Sequence, residues 1–162
     1  ALQAPALAAC SGIAIDDVGL DLKLGDQRFR QTGRVLITHR GLSGPATLRL
    51  SAFAARALHQ NRYKGELKLD WSAGLGRSGL TERFQQWRQE QARRTLSATK
   101  PFEHLPRRLW QAFLTMAGVE PERRWADLPI KAERRLVELL CAQLVPIQGR
   151  GPFGEELSLI HI

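Results

Sequence analysis

The hydrophobic pattern of this chain changes period near Trp71, and that change narrows the folds open to it. From Ile15 to Leu24, the residues Val18, Leu20, Leu22 and Leu24 alternate with Asp17, Gly19, Asp21 and Lys23, as in a strand with one buried face. Gly25-Asp26 reads as a two-residue hairpin turn, so Gln27 to Arg30 returns antiparallel. After Gly33, Val35 to Thr38 is a short apolar, β-branched run that fits a buried strand, and Leu67 to Trp71 alternates again. Beyond Trp71 a Gly/Ser turn through Gly74, Gly76, Ser78 and Gly79 introduces helical spacing. Leu80, Phe84 and Trp87 mark one helix, Leu109, Trp110, Phe113 and Met116 a second from Pro106 to Ala117. A third runs from Ile130 to Leu144, with Leu136, Val137, Leu140, Cys141 and Leu144 inward and Pro146 ending it, before a short strand from Val145 to Gln148. The fold class is therefore α+β. A β-barrel-like lobe takes residues 1–72 and 145–156, and a helical array takes 73–144.

One helix belongs to the first lobe. Ser43-Gly44-Pro45 is a start signal, with Ser43 or Gly44 as N-cap and proline at the first helical position, where no N–H is lost. The helix from Ala46 to His59 carries Leu48, Ala52 and Ala55 on one apolar stripe, with Leu50, Phe53, Ala54 and Ala57 beside it and Arg49 and Arg56 on the opposite strip.

At 162 residues the chain is long enough for one domain or two small lobes, and too short for a two-domain dinucleotide enzyme. The net charge of +8 divides into +5 up to Leu80 and +3 after it, without a block of five like charges. Such a surface could attract nucleic acid, anionic lipid or an acidic cofactor, but its lack of clustering favours a solvated arginine-rich exterior. Cys10 and Cys141 stand far apart with no metal-ligand spacing, which favours a reduced, cytoplasmic setting and no metal. No apolar run is long enough to cross a membrane.

The sequence contains no Gly-x-x-x-x-Gly-Lys-Ser/Thr, no His-Glu-x-x-His and no Gly-x-Ser-x-Gly. Gly74-Leu75-Gly76 leading to Gly79 has Gly-x-Gly-x-x-Gly spacing but reads as a weak imitation of a phosphate loop, without the buried strand end and βαβ context that a dinucleotide site needs. Asp16-Asp17 reads as a turn cap rather than an acid/base dyad. The stretch that most resembles a site is Thr38 to Ala46, where a strand end, two glycines and a helix start gather free N–H groups suited to an anion, with His39 as a titratable neighbour. On physical grounds alone the same residues better describe a tight, well-capped strand-to-helix turn.

Thr38-His39-Arg40-Gly41-Leu42-Ser43-Gly44-Pro45, continued by Leu48 and Leu50-Ser51, resembles the T-H-x-G-L-S-G-P-A-x-L-x-L-S signature of the aminoacetone-oxidase-like family of FAD-dependent oxidoreductases. Pro5-Ala6-Leu7 with Ser11-Gly12-Ile13, Leu67 to Asp70, and Leu105 to Leu109 are similar to that family in order and spacing. The resemblance implies that the chain is the inserted middle of such an enzyme, a barrel-like lobe interrupted by helices, with the FAD-binding halves before and after it. It implies a small-molecule substrate, FAD in the parent but none bound to this piece alone, and no membrane or nucleic-acid partner. His39, Gly41, Ser43, Gly44 and Pro45 become candidates for lining the flavin and substrate cleft, with no catalytic residue assigned. Gly151 to Glu156 resembles the approach to the second half, and residues 157–162 depart from the pattern as a tail expected to be non-native. An isolated insert should expose an apolar face, with Trp71, Trp110 and Trp125 as candidates that could each equally be core, and could self-associate through it. The alternative from another class is a small basic nucleic-acid-binding module, supported by scattered arginines but with Phe29 as the only nearby aromatic for base stacking.

Overall fold

The structure, a computed structural model, describes residues 7–39, 41–148 and 160–161. Arg40, residues 1–6, residues 149–159 and residue 162 lie outside it, and with them the Pro5-Ala6 and 151–156 matches and most of the expected tail.

Strand β1 (Ala14–Leu24) is central, pairing antiparallel with β2 (Gln27–Ile37) on one side and β4 (Lys64–Asp70) on the other. Short β3 (Gly41–Ser43), β5 (Gln143–Gln148) and β6 (Ile160–His161) complete the order β5-β4-β1-β2-β3-β6. The sheet curls into an antiparallel half-barrel, and with the helices it makes the expected α+β fold. Alternation explains its two faces. Val18, Leu20, Leu22, Leu67, Leu69, Val145 and Ile147 are buried inside, while outside Asp21 holds Arg28, Arg30 and Lys68 at 3.2, 3.1 and 3.9 Å.

Asp16-Asp17 is not a turn cap. The pairing shifts between Ile15↔Val35 and Val18↔Gly33, which inserts one extra residue in β1, and Asp17 takes φ 56°. This is a β-bulge, at which the strand bends and twists more strongly. β2 also differs from expectation by running unbroken through Gly33. The reason is α1 (Pro45–Gln60), which crosses there: a Cβ on Gly33 would lie 2.8 Å from the Arg49 guanidinium.

The buried stripe of α1 is Ala46, Thr47, Leu50, Ser51, Ala54, Ala57 and Leu58. Leu48, Ala52 and Ala55 face solvent instead, because the Thr47 hydroxyl donates to the Ser43 carbonyl at 3.0 Å and can therefore be buried.

The helices follow: α2 (Gly76–Glu90), α3 (Arg107–Met116), a 3-10 turn (Trp125–Asp127) and α4 (Ile130–Ala142). Their core is aromatic. Phe84 lies 5.7 to 6.0 Å from the rings of Phe102, Trp110 and Trp125, and the two indoles stack within 6° of parallel. Trp110 donates to the Leu96 carbonyl and Trp125 to the Thr99 hydroxyl, both at 2.9 Å. Trp71, Trp110 and Trp125 are all fully buried, so none of them forms the expected exposed patch.

α4 also ends earlier than expected. Gln143 enters β5 directly, Leu144 turns outward opposite Lys68 at 51% exposure, and Pro146 lies within the strand rather than stopping the helix. Its missing N–H is tolerated because β5 is the sheet's edge among the described residues. The segment from Leu7 to Cys10 is pinned too: Leu7 and Cys10 are core residues, and the Arg108 guanidinium donates to the Ala9 carbonyl.

Phe84→Ala should lower unfolding free energy by about 3–5 kcal/mol in urea titration, since its ring joins three others. Phe53→Ala, on an exposed ring, should cost less than about 1 kcal/mol.

Candidate functional site

The Thr38 to Pro45 turn is built on a locked loop. Thr38 N–H donates to the Gly41 carbonyl at 2.8 Å, and its Oγ1 accepts from Gly41 N–H at 3.0 Å. This returns the chain as β3, with Ile37 opposite Leu42 and Leu36 opposite Ser43. Gly44, not Ser43, is the N-cap of α1, with φ 97° and no side-chain cap bond, and Pro45 follows in the first turn. Only glycine fits here. Besides the left-handed φ, a Cβ would lie 3.0 Å from Leu36 N and 3.1 Å from the Arg34 carbonyl.

Ser43, Gly44 and Pro45 thus meet at the helix start, Gly41 is buried under the loop, and His39 is exposed. The geometry also tests the turn as a phosphate cradle. Gly44 is small because β2 backbone passes beneath it, and Ala46 and Thr47, whose N–H groups open the helix, are fully buried. Gly74 and Gly76 do lie between a strand end, β4, and a helix, α2, contrary to expectation, but β4 runs antiparallel to both its neighbours and the Ser72 hydroxyl accepts the Gly76 N–H at 3.1 Å, closing that turn on itself. These residues do not fit a dinucleotide pyrophosphate.

Grooves lie elsewhere among the described residues. Between α2 and α4 a groove of about 660 Å³ has Val137 and Ile130 as apolar lining and is spanned by the pairs Arg77–Glu138 and Arg88–Glu133. Arg88 also donates to the Leu128 carbonyl at 2.8 Å, so this guanidinium is already occupied. Between α1 and β2 a smaller groove of about 400 Å³ is lined by Gln27, Phe29, Phe53, Arg56, Ala57 and Gln60. Sequence reasoning placed Phe53 beside the packing stripe, whereas it is 70% exposed at this groove. The signal available was Arg56 three residues on, which keeps that side of the helix in water.

Among the described residues no group of three His, Cys, Asp or Glu could hold a metal ion. Burial pushes both thiols above the ordinary cysteine range; the Arg108 guanidinium offsets this in part at Cys10, while Glu138 adds to it at Cys141. Neither is an activated nucleophile.

A model of the HI0933-like protein barrel and H2TH domain matches residues 1–158. The chain belongs to that family. It is a family related to FAD-dependent oxidoreductases, and the two parts its description names correspond to a curled sheet and a set of helices here. No curated protein matches the chain. No helix of this HI0933-like domain is long and apolar enough to cross a membrane among the described residues.

Gly44→Ala should destabilise this domain by about 1–3 kcal/mol through its positive φ and its contact with β2, whereas Ser43→Ala, lacking a cap bond to lose, should stay within about 0.5 kcal/mol; thermal melts compare them. At pH 8 a disulfide reagent should modify Cys10 at least about tenfold more slowly in the native chain than in denaturant. With folded thiol pKa values raised, the native state is favoured below the unfolded thiol range and increasingly disfavoured as pH rises past it.

Proposed function

We propose that this chain is the insert, or cap, region of a FAD-dependent oxidoreductase of the aminoacetone-oxidase-like type. The observation that carries the reading is the family match over residues 1–158 on a curled sheet interrupted by helices. On this reading the lobes are residues 1–72 with 145–156, and 73–144. The flavin is held by dinucleotide-binding portions of the same polypeptide; the Gly-x-Gly-x-x-Gly string at residues 74–79 follows an antiparallel strand and is not set in the βαβ unit that such a site needs. The flavin would supply the redox chemistry, and the insert would position a small-molecule substrate and exclude water. His39, Gly41, Ser43, Gly44 and Pro45 would line the cleft side, where the locked Thr38–Gly41 loop keeps His39 in solvent beside the helix start.

The test is visible absorbance of the purified 162-residue chain after incubation with FAD and gel filtration. No flavin should co-elute with it, and the longer polypeptide carrying it should retain about one equivalent. Stoichiometric flavin on the short chain would overturn the assignment of the cofactor to the flanking portions.

A further inference from the structure

Between Gln27 and Gly65 the chain carries seven arginines, one lysine and no Asp or Glu, so this single stretch accounts for a charge equal to the whole chain's +8. Dividing the chain at Leu80 conceals this. Five of those cations fall into two groups, three on β2 and two on α1. The β2 arginines are answered from β1: Arg28 and Arg30 by Asp21, and Arg34 by Asp16 at 3.6 Å. The α1 arginines are not. Arg49 donates to the Thr32 carbonyl at 3.2 Å, and among the described residues neither it nor Arg56 has a carboxylate within ion-pair distance.

The same outer face of α1 is apolar between its arginines. Leu48 is 46% and Phe53 70% exposed, and Ala52 and Ala55 are exposed with them. A helix that leaves a Leu and a Phe in water while its polar Thr47 and Ser51 are buried has two faces able to pack, and the sheet covers only one.

We infer that this outer face of α1, centred on Leu48, Ala52 and Phe53 and flanked by Arg49 and Arg56, docks an acidic-rimmed apolar protein surface, and that this surface belongs to the flavin-binding portion of the same polypeptide. The identity of the partner rests on the function proposed above. The charge decides its chemistry: a face with two uncompensated arginines and no acid repels a second copy of itself and attracts carboxylates. The apolar centre decides its class. Leu48, Ala52 and Ala55 offer nothing to a phosphate backbone, and Phe53 with a half-buried Phe29 at its groove is a poor stacking platform, so a protein surface fits better than a nucleic acid.

The experiment is hydroxyl-radical footprinting of Leu48 and Phe53, with exposed Ile130 of the helical lobe as internal control. It compares the 162-residue chain with the full polypeptide carrying it, both purified without added ligand. Oxidation of Leu48 and Phe53 should fall at least about fivefold in the full polypeptide while Ile130 stays unchanged. The pair R49E and R56E, introduced together, should restore it toward the level of the short chain. Equal oxidation in both proteins, with flavin retained by the full polypeptide, overturns the docking face and leaves the proposed function standing. A full polypeptide that binds no flavin overturns both. Protection of Phe53 in the short chain by a single-stranded DNA oligonucleotide at low micromolar concentration, with the face open in the full polypeptide, makes it a nucleic-acid surface instead.

Discussion

The fully buried Trp71 indole donates to the Gln143 side chain at 2.8 Å, and the two halves of the molecule depend on that contact. Trp71 is where the chain leaves the sheet, and Gln143 is where it returns. The backbone repeats the link, since Trp71 N–H donates to the Leu140 carbonyl at 2.7 Å and the Trp71 carbonyl meets His104 Nε2 at 2.8 Å. Buried polar groups cost stability unless each finds a partner, so this junction has one arrangement rather than several. Phe113 packs edge-on against the Trp71 ring at 6.0 Å and carries the junction into the aromatic core of the helices.

Much of this was legible because the sequence patterns are strict. Alternation in β1 and β4, the Gly25-Asp26 turn and the Gly-Pro helix start each have a local physical cause, and the structure places them accordingly. The failures also have causes. In α1, Leu48, Ala52 and Ala55 make a cleaner apolar stripe than the true one, which contains Thr47 and Ser51; only the hydroxyl bond to Ser43 reveals why a polar stripe can be inside. The tryptophans looked like candidates for an open face because their partners, Leu96, Thr99 and Gln143, stand at positions that no periodicity connects to them. Leu144 suits either a helix face or a strand, and pairing with Lys68 settled it.

At the turn, glycine and proline announced a helix start but not its role. A glycine required by close backbone and a glycine required by an approaching phosphate look identical in sequence. Here the 3.0 Å approach of Leu36 N supplies the first reason. Charge was legible in amount and not in place, because neutralisation across strands, as at Asp21, depends on register.

The helices leave from β4 and return in β5, its antiparallel neighbour, with Leu69 opposite Gln143. Topologically the whole helical array is the loop of one hairpin. The entropy of closing a loop grows only logarithmically with its length, so the ladder that shuts this one is almost indifferent to how much chain it spans. The array can therefore be lengthened, trimmed or exchanged over generations while the meander beneath it keeps its pairing. The sheet acts as a chassis, and the part that can be varied is mounted on a single seam.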